Sequence, residues 1–257
     1  MTAGRAQRLL PAFLACACAL PAAAAEEPPY TEMGLSHARE TLSTHPNAWT
    51  DTQLELVRKF GPRKVLIGRV TSSERFGSHD DTLGLAAYYP LGERTVGYTE
   101  INVSDTHRVL PRGSVHVQVA HSLPQGWGVI GGLKHVTYNV TDVDIADLTV
   151  ERYFSDYRAA FTVYPSHSRI AGSATSYRLQ LSRYYGEGNN IQLLYASGVE
   201  VDKPTGIDSV LATSIRSIAL YGRHWLTREW ALTYGVSHTT QGNSTRHGMN
   251  LGVRYRF

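Results

Sequence analysis

Cysteine is nearly absent from this sequence, with two in 257 residues. Both of them, Cys16 and Cys18, lie in the apolar segment at the amino terminus, so the rest of the chain has no thiol for a disulfide, a zinc–thiolate site or a cysteine nucleophile. Long hydrophobic runs are also missing, because no stretch after residue 25 has the roughly 20 apolar residues of a transmembrane helix. A membrane protein made from this chain must therefore be a closed β-barrel, the other structure that satisfies every backbone group in lipid.

The amino terminus has the features of a secretory signal peptide. Arg5 and Arg8 precede an uncharged apolar run that ends at Ala23-Ala24-Ala25, directly before two glutamates. Small residues followed by acid are typical of a cleavage site, so we expect a signal peptide at residues 1–25. The alternative is a lipoprotein cleavage box at residues 13–16, which would leave a very short apolar region and ignore the later site.

Removal of that segment leaves one predicted domain, residues 26–257, with 23 lysines and arginines against 22 acidic residues. A balance so close to neutral lacks the basic excess of a nucleic-acid-binding protein, so no nucleic-acid partner is expected. No cofactor or metal site is expected either. The histidines predicted on loops have no ligand spacing: His45, His79, His107 and His167.

Apolar residues alternate with small or polar residues through nearly all of the mature chain. In a clear case, Val115, Val117 and Val119 alternate with serine, histidine and glutamine. This period of two predicts strands with one apolar face. The fourteen predicted strands lie at about 32–40, 48–59, 64–73, 82–89, 95–103, 113–122, 127–138, 142–153, 157–164, 175–185, 190–198, 212–225, 229–238 and 247–257.

The connections between the predicted strands fall into two classes. Short turns follow the even-numbered strands, as at 60–63 and 186–189, and mostly longer loops follow the odd-numbered ones, as at 41–47, 74–81 and 199–211. Short periplasmic turns and longer outer loops are typical of an outer-membrane barrel. The strands of a soluble β-sandwich would also alternate apolar and polar residues, but a sandwich would not need short connections at one end and long ones at the other. The prediction is an all-β fold, a transmembrane antiparallel up-and-down β-barrel of about 14 strands within a range of roughly 12 to 16.

Aromatic residues collect near the predicted strand ends, where the membrane interfaces would lie. We expect them to form the two girdles that flank the apolar band of an outer-membrane barrel. They are Tyr88, Tyr89, Trp127, Tyr153, Phe154, Tyr184, Tyr185, Trp225 and Trp230.

The last predicted strand carries the most specific local pattern. Apolar residues at positions 251 and 253 share a face with Tyr255 and Phe257, and the sequence ends at that phenylalanine. This ending resembles the signal by which the barrel-assembly machinery recognises its clients. We therefore expect Tyr255 and Phe257 to act in assembly and that machinery to be a partner during insertion.

A set of short motifs is spread through much of the second half of the sequence: Tyr138, Asp142-Val143, Val150-Glu151-Arg152-Tyr153, Asp156-Tyr157-Arg158, Tyr164, Ser197-Gly198 and Arg254-Tyr255-Arg256-Phe257. In these residues the sequence resembles the YaiO family of outer-membrane proteins. The resemblance implies a barrel in the outer membrane of a Gram-negative cell, with outer-membrane lipid and lipopolysaccharide as partners, and it supplies no catalytic set.

Polar side chains on the second face of the strands are expected to line the interior. They have two interpretations: an ion-pair network that braces the wall, or a surface for anionic sugars or phosphates, which arginine binds in bidentate fashion. The candidates for solute contact are Glu100, Arg158, Arg178, Gln180, Tyr184 and Arg254, within a wider set that adds Glu55, Lys59, Tyr98, Asn102 and Arg256.

Three classes of function are compatible with these features: a channel or export conduit for polar or glycan-like solutes, a non-conducting surface or scaffold barrel, and a rim-located hydrolase of lipid or lipopolysaccharide. A barrel of this size lies between filled eight-stranded barrels and water-filled sixteen-stranded porins. Candidate hydrolase groups lack the motif context of a catalytic triad. They are His79 with Asp80-Asp81, His121-Ser122, Ser166-His167-Ser168 and His238.

Overall fold

The computed structural model describes residues 29–202 and 210–257, which form fourteen antiparallel strands closed into one barrel. The predicted signal peptide lies outside these residues. No helix among them is long and apolar enough to cross a membrane. The strands are β1 Tyr30–Leu42, β2 His45–Gly61, β3 Lys64–Arg75, β4 Ser78–Pro90, β5 Thr95–Ser104, β6 Gly113–Ser122, β7 Trp127–Thr137, β8 Asp142–Phe154, β9 Tyr157–Ser168, β10 Gly172–Tyr185, β11 Asn189–Asp202, β12 Leu211–Trp225, β13 Trp230–Gln241 and β14 Ser244–Arg256.

The barrel closes where β1 pairs with β14, in a register that runs from Glu32 opposite Arg256 to Leu42 opposite Arg246. All other strands pair with their neighbours in sequence. Because the number of strands is even, β1 begins and β14 ends at the same rim, which we call the terminus rim. The opposite end is the loop rim. Closure leaves no edge of the fourteen described strands without a partner strand.

Side chains alternate between the two faces of the sheet as predicted. On the outer face, Leu179 and Phe161 are 53% and 46% exposed, whereas the inward neighbours Gln180 and Thr162 are 8% and 2% exposed. The outward apolar side chains form a continuous band around the barrel, which suits the hydrocarbon region of a membrane.

All fourteen predicted strands are present, but the predicted long loops after most odd-numbered strands are wrong. The loop expected at 74–81 is a hairpin turn at Phe76 and Gly77, because Arg75 still pairs with Ser78. Both turn residues have positive φ, 55° and 75°, as a tight type I′ turn requires. The turns after β1 and β13 are equally short. Strands extended by polar residues therefore replace loops, and the asymmetry between the rims is smaller than predicted.

The aromatic residues do not form two girdles. Each predicted girdle residue lies at the end of an even-numbered strand or the start of an odd-numbered one, and the antiparallel order places all of these positions at the terminus rim. Alternation then divides them between the faces. Tyr89, Trp127, Phe154, Tyr185 and Trp230 lie on the outer face, and Tyr88, Tyr153, Tyr184 and Trp225 lie on the inner face.

The two faces of β11 should differ in how much stability the barrel loses when an arginine is introduced. Leu193 is 45% exposed within the apolar band, and its neighbour Gln192 faces the interior. An arginine at the lipid-facing midplane of a barrel costs roughly 2–4 kcal/mol, whereas an aqueous interior accommodates it. Leu193→Arg should lower the free energy of unfolding in lipid vesicles, measured by urea titration, by far more than the matched control Gln192→Arg. Equal losses would contradict the assignment of the faces.

Candidate functional site

Charged side chains on the inner wall are joined in a network. Arg69 on β3 donates to Glu55 on β2 at 2.8 Å and to Glu100 on β5 at 2.9 Å. Glu100 also accepts hydrogen bonds from the Tyr98 hydroxyl at 2.6 Å and from the Asn102 amide at 3.0 Å. Arg69 thus has two carboxylates and Glu100 has three donors, so neither charge is left for a solute.

The same network crosses the seam between β1 and β14. Arg254 lies 2.6 Å from Glu55 and 3.3 Å from Glu32, and Arg256 lies 2.8 Å from Glu32. The side chains of Glu32, Glu55 and Arg254 are less than 10% exposed. Charges buried this deeply require partners, so the network holds the two ends of the sheet together from inside.

A second group of paired side chains lies on β6, β8 and β9. Arg158 and Glu151 form a pair with distances of 2.6 and 2.8 Å, and their side chains are 3% and 6% exposed. Asp147 contacts the His116 ring and accepts a hydrogen bond from the Gln118 amide, both at 2.7 Å. On these strands too, the ion-pair interpretation of the inner wall describes the observed contacts.

The wall formed by β10 and β11 differs, because its polar groups are mostly neutral. The Gln180 amide donates to Ser182 and to Gln192, both at 3.1 Å, and the Gln192 amide donates to Asn190 at 3.3 Å. Arg178 lies on the same wall. Its guanidinium is 5.3 Å from the centre of the Tyr164 ring, and no carboxylate of the described residues lies within 4 Å of it.

The interior is not uniformly polar, which corrects the expectation of small or polar side chains on the inner face. Two clusters of buried apolar residues lie inside, because strands such as β3 carry apolar residues on both faces. One cluster is near the terminus rim and consists of Val57, Val65, Ile67, Ala86, Tyr88, Val96 and Tyr98. The other is near the loop rim and consists of Val136, Tyr138, Val143, Ala174, Val201 and Val210.

The connection between β5 and β6 is tied to the inner wall by one carboxylate. Asp80 is fully buried and accepts the backbone N–H groups of residues 108–110 at 2.7–2.9 Å, together with the Thr106 hydroxyl. In the loop itself, the backbone N–H groups of Asp81 and Thr106 donate to Asp105 and lower the pKa of its carboxyl below the usual value. Both carboxylates therefore hold this loop against the inner wall at the loop rim.

The predicted solute-contact residues all lie on the inner face but separate into two groups. Glu100 and Arg254 belong to the network near the seam, whereas Arg158, Arg178, Gln180 and Tyr184 lie on β9 and β10. Arg158 is neutralised by its partner and has little contact with the lumen. Sequence reasoning missed Glu32, Arg69, Asp147 and Glu151, although the alternation of their strands could have placed them inside.

The comparisons with known proteins agree with this architecture. The model of the YaiO membrane beta barrel domain matches residues 30–203. The chain belongs to the YaiO family. No curated protein sequence matches it. The family and the structural neighbours place this YaiO-family barrel in the bacterial outer membrane.

Several solved outer-membrane barrels resemble this YaiO-family barrel in fold. The CymD monoaromatic hydrocarbon channel superposes with a TM-score of 0.56 and 11% identity, over 90% of this chain and 88% of that one. A bacterial polysaccharide outer membrane secretin gives 0.56 and 9%, over 88% and 98%. The KdgM porin in complex with oligogalacturonate gives 0.50 and 11%, over 87% and 99%. At these identities the likeness concerns the fold alone.

The serine–histidine pairs considered for a hydrolase do not form in this YaiO-family barrel. Neighbours in a strand face opposite sides, so His121 bonds to Thr95 at 2.9 Å and not to Ser122. His167 likewise contacts the Ser173 hydroxyl at 3.0 Å on the adjacent strand. No described carboxylate lies within 4 Å of the His167 ring, so this pair lacks the group that orients the base in a triad.

The carboxyl-terminal residue, Phe257, contributes little buried area. Phe257 is 67% exposed, and its backbone N–H donates to the Thr31 carbonyl at 2.9 Å. Its ring meets Tyr255 at 4.9 Å between centroids, and Tyr255 meets Trp230 at 4.8 Å. We propose that Phe257 acts in recognition by the barrel-assembly machinery more than in the finished fold.

Deletion of Phe257 separates these two roles. Full burial of a phenylalanine side chain contributes about 1.5–3 kcal/mol, and this ring is mostly exposed, so the purified variant should refold into lipid almost as well as the parent. In cells under strong expression, the folded fraction, measured by heat-modifiability on gels, should fall sharply. Equal assembly of both proteins in cells would show that the terminal residue carries no signal.

The Arg158–Glu151 pair predicts a non-additive effect on stability. Arg158→Met should lower the free energy of unfolding in lipid vesicles by about 3–5 kcal/mol, because it leaves Glu151 buried without a counter-charge. The double variant Glu151→Leu, Arg158→Met should recover most of that loss, since an apolar pair of similar volume needs no counter-charge. A double variant as unstable as the sum of the single ones would contradict a direct coupling.

Proposed function

We propose that this YaiO-family barrel is an outer-membrane channel for polar, glycan-like solutes. The observation that supports this proposal is the unequal distribution of charge on the inner wall. Charges near the seam and in the Arg158–Glu151 pair neutralise one another, whereas β10 and β11 present amides, hydroxyls, the carboxyl of Glu200 bonded to Ser176, and the unneutralised Arg178. A solute that passes along the β10–β11 wall would meet exchangeable hydrogen bonds rather than fixed ion pairs.

The chemistry of this wall suits a sugar. An amide both donates and accepts hydrogen bonds, as a sugar hydroxyl does, so Gln180, Gln192 and Asn190 can exchange their mutual bonds for bonds to water or to a solute. The lining of hydrogen-bonding groups and the electrostatic barrier determine which solutes a pore passes. Weak, replaceable contacts permit passage, because a solute bound too tightly would not leave.

Arg178 would add a preference for anionic solutes. A guanidinium offers five donors in a planar fork that fits a carboxylate or a phosphate, and Arg178 is oriented by the Tyr164 ring at 5.3 Å. Two of the structural neighbours support a carbohydrate solute by analogy, since one is a porin in complex with oligogalacturonate and the other a polysaccharide secretin.

A non-conducting scaffold barrel is the second candidate, and it is favoured by different observations. The two apolar clusters line the interior near both rims, and Asp80 holds the loop between β5 and β6 against the inner wall at the loop rim. A barrel that these features obstruct would act through its outer surface. Conductance therefore distinguishes the two candidates directly.

Conductance across planar lipid bilayers tests the channel and the role of Arg178 together. The parent should give steady openings with a preference for anions, and Arg178→Glu should shift the reversal potential in a salt gradient toward cation selectivity, because it replaces a lumen cation with an anion. Arg183→Glu is the matched control: it makes the same charge change on β10, at an outward-facing exposed position.

The parent protein alone decides between channel and scaffold. Absence of openings from a barrel shown to be folded by heat-modifiability would exclude the channel. Openings with a selectivity that Arg178→Glu leaves unchanged would retain the channel but remove Arg178 from its lining.

A further inference from the structure

The outer face of the barrel changes character where the apolar band ends toward the loop rim. On β12, β13 and β14, the next outward-facing position after the last apolar residue carries a basic side chain. On β1, the next two outward-facing positions, His37 and Arg39, are both basic. We call four of these exposed residues the basic arc: Arg216 after Ile218, His238 after Val236, His247 after Met249, and Arg39 beyond Leu35. His37, between Leu35 and Arg39, bonds to the Thr52 hydroxyl on β2 and is not counted in the arc.

The members of the basic arc are neighbours across four consecutive strands. His238 lies directly opposite His247, with 3.4 Å between the two Nδ1 atoms and 4.7 Å between the ring centroids. Arg216 lies opposite Thr240, two residues from His238. Two residues along a strand is the spacing of diagonal cross-strand neighbours, roughly 7–8 Å apart, within reach of a long side chain.

On the other side of the seam, Arg39 lies two residues from Thr41, which is opposite His247. Arg39 pairs with Thr50 on β2, and Thr50 pairs in turn with Glu74 on β3. Glu74 is the nearest outward-facing acid along this row of paired residues. The arc is therefore a continuous row of basic groups that reaches from β12 across β14 to β1.

Along the remainder of the same rim, outward-facing acids lie beside the basic groups, and two histidines are paired with them. His79 lies 3.1 Å from Asp81, and His135 lies 2.7 Å from Asp144. Asp105 and Asp142 are also exposed there. His167 on β9 also has no described carboxylate within 4 Å, but it lies opposite Asp144, so the uninterrupted row of basic groups is a local feature of the arc.

We propose that the basic arc binds the phosphate groups of a phosphorylated glycolipid in the outer leaflet of the membrane. Arginine forks bind phosphate oxygens in bidentate fashion, and an anion seated between His238 and His247 would accept hydrogen bonds from both rings. Basic groups at the edge of the hydrocarbon region lie at the depth of lipid headgroups. The loop rim meets the outer leaflet because the terminus rim faces the periplasm in the expected topology.

A lipid fits the arc better than a free anion. The arc is continuous with the apolar residues Ile218, Val236 and Met249, which are 49%, 56% and 64% exposed. A ligand with both phosphate and acyl chains would cover the basic and the apolar parts together, whereas inorganic phosphate would contact the first alone. This proposal is independent of channel activity, because the arc is on the outer face.

Retention of defined lipids tests the proposal. Native mass spectrometry of the purified barrel in mixed micelles should show at least about tenfold greater retention of bis-phosphorylated lipid A than of its dephosphorylated form, given the gain expected from several basic groups at a membrane surface. The variant Arg39→Gln, Arg216→Gln should lose most of that preference, and His238→Gln, His247→Gln should weaken it.

The matched control is Arg58→Gln, Arg183→Gln, which removes two exposed outward arginines outside the arc and should retain the lipid as the parent does. Equal retention of both lipids by the parent would overturn the proposal without the use of any variant. So would an arginine variant that folds and still prefers phosphorylated lipid A. Displacement of the lipid by equimolar inorganic phosphate would identify a simple anion site and refute the glycolipid assignment.

Discussion

Pairing of β1 with β14 joins the two ends of the sheet, and the backbone of the whole barrel depends on it. In lipid, an open edge would leave a row of N–H and C=O groups without partners. The interior reinforces this seam, since Glu32 on β1 contacts both Arg254 and Arg256 near the end of β14. Backbone closure and side-chain charge thus act at the same place, where residues more than 200 positions apart in sequence must meet.

The same ion pairs limit the number of charged side chains that are left in the interior to bind a solute. Glu55 is shared by Arg69 and Arg254, and these arginines also contact Glu100 and Glu32. With Arg256 on Glu32, three arginines and three glutamates near the seam neutralise one another. An ion pair of this kind is difficult to open, because its separation would leave buried charges without partners. Selectivity therefore depends on the few side chains outside such pairs, and among the described residues Arg178 is the clearest cation of that kind.

The fold could be predicted from the sequence, because alternation with a period of two is a local property. Leu179 and Gln180 could be assigned to opposite faces from their neighbours alone. The contacts between side chains could not, because they depend on register, and a slip of one residue exchanges the faces. Arg158 lies opposite Tyr153 and Glu151 lies opposite Ala160, so this ion pair is diagonal and has no signature in either strand.

Segments with weak alternation account for the errors. Val65, Leu66 and Ile67 are apolar on both faces of β3, so the sequence contains no sign that two of them pack inside the barrel. The hairpin at Phe76 and Gly77 was equally hidden, because polar residues continue the strands beyond the apolar band. In both places, tertiary packing or backbone pairing determines a structure that composition leaves open.

The two rims of the barrel differ in chemistry, although an antiparallel sheet is nearly symmetric from one end to the other. Outward aromatic rings such as Trp127 and Trp230 surround the terminus rim together with exposed arginines, whereas polar and charged residues take the place of these rings at the loop rim. Aromatic side chains suit an interface of ordinary headgroups, whereas ionic groups suit an interface rich in fixed charge. Since the backbone pattern alone does not distinguish the two leaflets, these side chains are the part of the chain that can determine which rim faces which side of the membrane.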